Sequence, residues 1–273
     1  MIILDGKTLA ERELGELKAE FQKFKRDITL VIIRVGHDPV SERFIARKKK
    51  IAAALGVTAL ERVFDEKILG KKLRVEIGAI ARDKHIDGVI VQLPLPAHIN
   101  TQDILNAVTP EKDIDCLSAR SVGNFVVGKT KLMPPVVGAI SDLAKEYGID
   151  FRRKNIVIAG AGRLVGRPVA FWLLRQNIGY GVVTEETQNP EKIFQQAEII
   201  ITGVGKKIID GGAIMNGVVI FDAGTAECDG VLHGDVGIDS VSKKASAITP
   251  VPGGIGPLTV VWIFKNLLSC IKR

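Results

Sequence analysis

Residues 155–168 read Asn155-Ile-Val-Ile-Ala-Gly-Ala-Gly-Arg-Leu-Val-Gly-Arg-Pro168. An apolar run typical of a buried strand leads into a Gly-x-Gly-x-x-x-Gly turn and then an apolar helix that ends near Leu174. The glycines at 160 and 162 let a pyrophosphate approach the helix amino terminus. The third glycine falls one position later than in the usual Gly-x-Gly-x-x-Gly fingerprint, so the prediction of a dinucleotide site depends on the strand before the turn and the helix after it. The stretch predicts a Rossmann-like dinucleotide-binding domain.

Short apolar runs rich in valine and isoleucine recur at intervals of tens of residues along the rest of the chain. They span residues 29–35, 88–93, 155–159, 181–184, 198–202 and 218–222. Continuous apolar runs indicate strands covered on both faces, because half-exposed strands alternate. We therefore predict an α/β fold with parallel sheets in two domains that change near residue 150, with ligands at the carboxyl ends of the strands.

Composition limits the possible functions. The chain has 273 residues and a net charge of +7, but its lysines are mostly dispersed and only 5% of its residues are aromatic. This pattern favours a small anionic ligand over nucleic acid. The sequence has no apolar run of 18 residues and no signal peptide, so we expect a cytoplasmic protein with no membrane partner. Three scattered cysteines, Cys116, Cys228 and Cys270, favour neither a disulfide framework nor a zinc site.

A lysine lies on the apolar face of a predicted helix. Asp38-Pro39 is typical of a helix start and Gly56 of a helix end, which predicts a helix over residues 40–55. One stripe of that helix includes Lys48. Its other members are Phe44, Ile51 and Leu55. A lysine there must find a partner or lose its proton, which suits catalysis; alternatively its ammonium extends to the helix edge.

Polar side chains follow two other predicted elements. The stretch Asp87-Gly-Val-Ile-Val-Gln-Leu-Pro-Leu-Pro96 is a buried strand that ends at two prolines and brings Gln92 to its carboxyl end. An amide in that position can bind a polar substrate. The loop Pro110-Glu-Lys-Asp-Ile-Asp115 supplies carboxylates, which either bind a ligand or cap a helix.

Glu185 ends the strand that follows the glycine turn, about 20 residues after Gly166, where an acidic side chain can bind the adenosine ribose. A carboxylate there repels a 2′-phosphate and favours NAD. Arg163 and Arg167 lie close enough in sequence to offset this repulsion and allow NADP. Alternatively, Glu185 is an exposed glutamate that binds no ligand.

The segment Thr249-Pro-Val-Pro-Gly-Gly-Ile-Gly-Pro-Leu-Thr-Val260 has three prolines and three glycines between Pro250 and Pro257. Proline stiffens the backbone and glycine leaves it bare, so the segment is a surface turn or a ligand-binding loop.

Together these segments resemble the bifunctional methylenetetrahydrofolate dehydrogenase/methenyltetrahydrofolate cyclohydrolase family over nearly the whole chain. The matching motifs are Val35-Gly-x-x-Pro39-x-Ser41, the lysine helix, Asp87 to Pro96, Lys112-Asp-x-Asp115, Val165-Gly-Arg-Pro168, Gly234-Asp-Val236 and Thr249 to Thr259. The lysine helix and the Thr249 segment identify the family most specifically.

The resemblance implies two α/β domains with a cleft between them: residues 1–138 with 258–273 for folate, and residues 139–257 for the dinucleotide. It implies oxidation of 5,10-methylenetetrahydrofolate with NADP, NAD being the alternative, and hydrolysis of the methenyl product to 10-formyltetrahydrofolate. It further implies a homodimer that acts without a metal in one-carbon metabolism and purine biosynthesis.

The resemblance also assigns roles to residues. Lys48 is the catalytic lysine, Gln92 the amide that sets its protonation and orients substrate, and Asp113 the carboxylate that holds the pterin. The expected substrate contacts are Phe44, Pro252, Gly253 and Gly254. The expected cofactor contacts are Gly160, Ala161, Gly162, Arg163, Glu185 and Thr225.

Departures from the family pattern leave alternatives open. Phe44 replaces a tyrosine and lacks a hydroxyl to tune Lys48, which allows an NAD-dependent dehydrogenase with weak or no cyclohydrolase activity. Ala161-Gly162 replaces Arg-Ser, Thr184 replaces a histidine, and Pro134-Pro-Val-Val137 replaces Pro-Cys-Thr-Pro. A remote alternative, suggested only by the net charge, is a basic nucleic-acid-binding protein.

Overall fold

The structure is a computed structural model that describes residues 1–228 and 231–272. Its chain forms two compact units. The Lys48 unit comprises Arg12–Pro134 and the chain from Ile263 onward, and the Gly160 unit comprises Met1–Glu11 and Pro135–Trp262.

The described elements follow in chain order. The strands are β1 Ile2–Ile3, β2 Thr29–Val35, β3 Thr58–Phe64, β4 Gly88–Val91, β5 Ile156–Ala159, β6 Gly181–Val183, β7 Ile199–Thr202, β8 Val219–Asp222, β9 Ala226–Cys228, β10 Val231–His233 and β11 Ala247–Ile248. The helices are α1 Gly6–Phe21, α2 Pro39–Leu55, α3 Gly70–Arg82, α4 Thr101–Leu105, α5 Ala119–Val126, α6 Pro135–Glu146, α7 Gly166–Arg175, α8 Pro190–Phe194, α9 Ile238–Val241 and α10 Ile255–Ile271.

The Lys48 unit is built on a parallel sheet with strand order β3-β2-β4. Central β2 is almost wholly buried, as its continuous apolar run predicts. Edge strand β3 was not predicted, because it mixes charged and apolar residues and is largely exposed. Leu73 and Ile77 of α3 pack into the core beside β2 and β4. This arrangement brings the carboxyl ends of β2 and β4 together.

Helix α2 forms as its sequence predicts. The Asp38 carboxylate accepts a hydrogen bond from the Ser41 backbone N–H, Pro39 begins the helix, and Gly56 ends it with a left-handed φ of 76°. The buried residues of α2 are Ser41, Ile45, Ala52 and Leu55. Phe44 differs from the predicted stripe, because it lies outside this buried row and is 37% exposed.

The Gly160 unit contains a parallel sheet of order β1-β11-β8-β7-β5-β6. The predicted strands of this unit appear within one residue of their expected bounds. Ile2 and Ile3 pair with Ala247 and Ile248 at one edge of the sheet. The first strand therefore belongs to the sheet of the Gly160 unit, and the implied domain ranges 1–138 with 258–273 and 139–257 stay a prediction.

Helix α10 packs tightly within this unit at its amino-terminal end. A Cβ at Gly138 would lie 2.1 Å from the Trp262 ring, so α6 and α10 approach closely there. The Trp262 indole Nε1 donates to the Asp142 carboxylate at 2.6 Å. Glycine at position 138 is thus required by packing.

Several sequence expectations concern absences. No helix among residues 1–228 and 231–272 is long and apolar enough to cross a membrane. The same residues contain no group of three or more acidic, histidine or cysteine side chains arranged to hold a metal ion. Neither Cys116 nor Cys270 takes part in a disulfide bond within the described part of the chain. The side chain of Cys228 lies outside the described part of the structure.

Candidate active site

The structure brings Lys48 of α2 and Gln92 at the end of β4 together. Lys48 Nζ donates a hydrogen bond to Gln92 Oε1 at 2.9 Å. Gln92 Nε2 donates to the Leu93 carbonyl at 2.8 Å, which fixes the orientation of the amide. Both side chains are partly buried. The amide oxygen is therefore held as an acceptor facing the amine.

The third member of the group is Asp115. Burial lowers the pKa of Lys48, and the nearby Asp115 carboxylate partly opposes this shift. Burial also raises the pKa of Asp115, with Lys48 opposing and Asp113 adding to the rise. Both shifts favour the uncharged forms, since burial penalises charge. An amine in this setting can accept a proton closer to neutral pH than an exposed lysine can.

Asp113, the carboxylate predicted to hold the pterin, forms hydrogen bonds at the start of α5. It is 4% exposed, and its carboxylate accepts hydrogen bonds from the backbone N–H groups of Ser118 at 2.8 Å and Leu117 at 3.2 Å. These bonds occupy the carboxylate with the start of α5. Asp115 is the carboxylate that interacts with Lys48. Spacing within Lys112-Asp-x-Asp115 does not distinguish the two aspartates, and the role of Asp113 in holding the pterin stays a prediction.

A buried arginine, which sequence reasoning missed, links α2 to the sheet. Arg34 of β2 is 8% exposed. Its guanidinium pairs with Glu42 of α2 and Glu61 of β3, each at 3.0 Å, and NH1 also donates to the Gly36 carbonyl at 2.5 Å. Glu61 in turn pairs with Lys49 at 3.2 Å. The network thus holds both sides of the helix that carries Lys48.

Asn266 of α10 fixes the loop that carries Asp115. It is 1% exposed, and its Nδ2 donates to the carbonyls of Ile114 at 2.8 Å and Met133 at 2.7 Å. Its Oδ1 accepts from the Met133 N–H at 3.1 Å. All three hydrogen bonds join segments of the Lys48 unit that are more than 130 residues apart in sequence.

The predicted glycine turn in the other unit has the bare, close geometry that a phosphate requires. Gly160 has a φ of 91°, which favours glycine. A Cβ at Gly166 would lie 1.9 Å from the Gly160 carbonyl oxygen, so the turn folds directly onto the start of α7. Gly162 has no atom closer than 3.9 Å to such a Cβ, and the Ala161 carbonyl accepts a hydrogen bond from Arg167 Nε at 3.0 Å.

Two buried carboxylates support the loops beside this turn. Asp235 accepts hydrogen bonds from Thr202 Oγ1 at 2.6 Å and from the N–H groups of Val204 and Gly205. Asp222 accepts from the N–H groups of Gly224, Asp235 and Val236. Burial raises the pKa of Asp222 to about 6, and the neighbouring Asp235 adds to the rise. In the sequence, Asp235 lies in the Gly234-Asp-Val236 motif and Asp222 ends a predicted strand, but neither pattern predicts that the two carboxylates lie together.

The remaining predicted cofactor residues are near the surface. Glu185 is exposed and forms an ion pair with Lys206, whose hydrogen bond lowers the pKa of the carboxyl group. Thr225 is exposed and Arg163 is partly buried. The negative charge of Glu185 is therefore paired with the positive charge of Lys206, which lies in the loop after β7.

The proline- and glycine-rich segment precedes α10 as a compact turn. The Val251–Pro252 bond is cis, and Gly253 has a φ of 111°. The Gly254 N–H donates to the Pro250 carbonyl at 2.8 Å, and a Cβ at Gly254 would lie 2.6 Å from that carbonyl oxygen. The glycines here meet conformational and packing requirements, and ligand contact by Pro252, Gly253 and Gly254 stays a prediction.

Sequence comparison assigns both parts of the chain. Residues 4–115 match the pattern described as "Tetrahydrofolate dehydrogenase/cyclohydrolase, catalytic domain", and residues 134–273 match "Tetrahydrofolate dehydrogenase/cyclohydrolase, NAD(P)-binding domain". The chain belongs to this family. The family domains contain the Lys48 group and the Gly160 turn, respectively, which confirms the predicted family and the two-domain α/β fold with parallel sheets.

Relatives of this tetrahydrofolate dehydrogenase/cyclohydrolase family match over their full lengths. The bifunctional protein FolD of Sulfurihydrogenibium sp. is 37% identical over 280 residues, covering 100% of this chain and 98% of the relative. The crystal structure of the bifunctional FolD enzyme from Campylobacter jejuni has a TM-score of 0.95 at 33% identity, covering 100% of this chain and 99% of the other. The Trypanosoma brucei dehydrogenase-cyclohydrolase, solved with NADP and an inhibitor, has a TM-score of 0.93 at 30% identity, with coverage of 100% and 98%.

Proposed function

We propose that this protein oxidises 5,10-methylenetetrahydrofolate to 5,10-methenyltetrahydrofolate with NADP and hydrolyses the product to 10-formyltetrahydrofolate. Family membership and the bifunctional relatives support both activities. The observation that carries the proposal is the hydrogen bond from Lys48 to Gln92, made by an amine whose pKa is lowered by burial. Asp115 completes the group.

In the hydrolytic step, a water oxygen attacks the methenyl carbon, which carries the positive charge of the substrate. Lys48 accepts one proton from that water, because its burial favours the neutral amine. Gln92 Oε1 keeps the amine oriented by accepting its hydrogen bond. The carbon–N5 bond then breaks as N5 takes up the hydroxyl proton, and one proton is released to solvent overall.

Substrate recognition uses Asp115 and Phe44 of the Lys48 unit, with further contacts from the proline- and glycine-rich segment. Asp115, rather than Asp113, holds the polar edge of the pterin, because the Asp113 carboxylate already binds the start of α5. Phe44 offers a partly exposed ring to the aminobenzoyl part of the folate. Pro252, Gly253 and Gly254 supply a stiff backbone for further contact.

The cofactor fits the Gly160 unit. Backbone groups of Gly160, Ala161 and Gly162 would hold its pyrophosphate, because these three residues have no side chain larger than a methyl group and lie just before α7. NADP supplies the hydride acceptor when bound. Arg163 and Thr225 are further contacts. Lys206 pairs with Glu185 and so reduces the repulsion between the Glu185 carboxylate and the 2′-phosphate of NADP. This pairing favours NADP binding.

Purified protein tests the function through methenyltetrahydrofolate absorbance, measured with NADP and NAD in parallel. We expect turnover with NADP to exceed turnover with NAD. Turnover with neither cofactor would exclude the dehydrogenase, and a preference for NAD would overturn the role given to Lys206.

A second candidate, an NAD-dependent dehydrogenase with weak or no cyclohydrolase activity, is favoured only by Phe44, which lacks a hydroxyl near Lys48. Hydrolysis of supplied methenyltetrahydrofolate separates the two functions. A rate clearly above that of buffer supports the bifunctional enzyme, and a rate equal to buffer supports the second candidate.

The proposal includes a cytoplasmic homodimer. Edge strand β3 has one exposed edge and presents Leu60 and Val63, which are 42% and 48% exposed, to solvent. A second copy can cover such an edge. Light scattering at micromolar concentration should give twice the mass of 29.5 kDa, and a monomer mass would contradict the homodimer.

A further inference from the structure

The Gly160 unit has a second cleft, at the end of its sheet opposite the glycine turn. The cleft has a volume of about 640 Å³ and is lined mainly by residues 152–155 before β5 and residues 178–181 at the start of β6, with Ile193 of α8. The four residues of β5 separate the cleft from Gly160 by about 13 Å. The cleft is therefore distinct from the turn proposed to hold the dinucleotide pyrophosphate.

Cations dominate the charged lining of this cleft. Arg152, Arg153 and Lys154 line it, and within the described residues its lining includes no aspartate or glutamate. Lys154 pairs with Glu198 at 2.8 Å. In the part of the chain that the structure describes, the guanidinium groups of Arg152 and Arg153 make no hydrogen bond or ion pair, and the Asp150 carboxylate accepts from the Arg152 backbone N–H. Two unpaired positive charges thus border the cleft, and they favour an anion.

The backbone at Arg153 is a second sign that this side chain serves a ligand. Its φ of 57° lies in the left-handed region, which glycine adopts freely and a residue with a Cβ adopts under strain. Its side chain is exposed and has no partner among the described residues that would offset this strain. An arginine therefore costs the fold stability at this position, and an anion bound to its guanidinium accounts for its presence.

The uncharged part of the lining suits a planar ring. Ile178, Tyr180 and Ile193 are partly buried and line the same cleft. A tyrosine ring can stack on a base, and the side-chain amides of Asn155 and Asn177 can bond the polar edge of one. The volume is also in the range of small-molecule sites, roughly 300–1,000 Å³. A ligand that fits both parts of the lining carries phosphate next to a planar ring.

We propose that this cleft binds a nucleoside phosphate, whose phosphate groups contact Arg152 and Arg153 and whose base lies against Tyr180. The site is separate from the folate and dinucleotide reaction and goes beyond the proposed function. Arginine suits phosphate because its planar guanidinium donates two parallel hydrogen bonds to phosphate oxygens. Exposed charge pairs strengthen binding by about 1.5- to 5-fold each, so the two arginines together contribute about 2- to 25-fold.

Isothermal titration calorimetry with ADP, pyrophosphate and adenosine tests both parts of the ligand. ADP should bind wild-type protein more tightly than either other probe, because only ADP contacts both the arginines and Tyr180. Absence of ADP binding, or an ADP affinity no greater than that of pyrophosphate or adenosine, would overturn the inference.

Hydrogen exchange read by mass spectrometry locates the bound ADP. Binding should slow amide exchange at residues 152–155 and 178–181. Slower exchange confined to residues 160–162 would mean that ADP occupies the dinucleotide turn, and the inference would then be wrong.

The double variant Arg152→Gln, Arg153→Gly should weaken ADP binding by about 2- to 25-fold and leave the KM for NADP unchanged. The matched control, Lys145→Gln with Lys243→Gln, removes two exposed cations of the same unit and should keep the wild-type ADP affinity. Wild-type ADP affinity in the double variant would overturn the inference, as would a KM for NADP that rises by the same factor.

Arg153→Gly alone separates binding from folding. Glycine adopts a φ of 57° without strain, so this variant should have a urea midpoint at least as high as that of the wild type. It should nevertheless bind ADP about 1.5- to 5-fold more weakly. A lower midpoint would show that Arg153 stabilises the fold, and this result would contradict its assignment to a ligand.

Discussion

Asp222 makes the stability of the Gly160 unit depend on pH in an unusual direction. Its pKa is raised from 3.8 to about 6 in the folded protein, because burial disfavours the carboxylate and Asp235 lies beside it. The folded state therefore holds this proton more tightly than the unfolded state. The contribution to stability is complete below pH 3.8 and is lost as the pH rises through about 6.

The size of the effect follows from these two pKa values. At pH 8 the group is ionised in both states and the contribution has vanished. At pH 5 the folded group is mostly protonated and the unfolded group mostly ionised, which stabilises the fold by about 1.4 kcal/mol. Asp222→Asn removes the titration while keeping the acceptor for the Gly224 and Asp235 N–H groups. The substitution should therefore cost about 1.4 kcal/mol more at pH 5 than at pH 8.

Urea unfolding followed by tryptophan fluorescence measures this difference, because Trp172 and Trp262 both lie in the Gly160 unit. Comparing variant with wild type at each pH cancels the other titrating groups. Exposed Asp239 of α9 provides the control, and Asp239→Asn should show the same small effect at both pH values. If Asp222→Asn lowers the free energy of unfolding equally at pH 5 and pH 8, or more at pH 8, the raised pKa of Asp222 is contradicted.

Three further substitutions test the groups around the two sites. Arg34→Leu removes the ion pairs that join β2 to α2 and to β3 and should lower the free energy of unfolding by about 1–3 kcal/mol, measured by circular dichroism in urea; an unchanged midpoint would contradict this role. Asn266→Leu leaves two buried carbonyls and one N–H unpaired and should cost about 2–4 kcal/mol in the same measurement, together with a raised KM for folate; wild-type values of both would count against it. Lys206→Met should reduce the ratio of kcat/KM for NADP over NAD by about 1.5- to 5-fold, and an unaltered ratio would show that Lys206 does not offset Glu185.

Local signals predicted the elements that position both sites. The cap at Asp38, the proline after it and the left-handed Gly56 are sufficient to define α2, and all three act within the helix itself. The strand and glycine turn at residues 155–168 are equally local. Strand β3 was not predicted, because an edge strand needs no continuous apolar run and the charged residues Glu61 and Arg62 interrupt its apolar pattern.

Long-range contacts were beyond sequence reasoning. Which aspartate interacts with Lys48 depends on which carboxylate binds the start of α5. Two aspartates separated by one residue give no sequence pattern that tells them apart. Arg34 interrupts an otherwise apolar strand, which was a usable sign of a buried ion network. Asn266 gave no such sign, because its partners Ile114 and Met133 are distant in sequence.

We propose that Lys48, held by Gln92 beside Asp115, accepts the proton in the hydrolytic step. The most direct test is the rate at which purified protein hydrolyses methenyltetrahydrofolate, compared with Lys48→Met protein that retains the wild-type circular dichroism spectrum. We expect the wild-type protein to hydrolyse the substrate well above the buffer rate. The rate should fall at least about 100-fold in the variant, which is the usual contribution of a general base. A Lys48→Met protein that hydrolyses the substrate at the wild-type rate would contradict it.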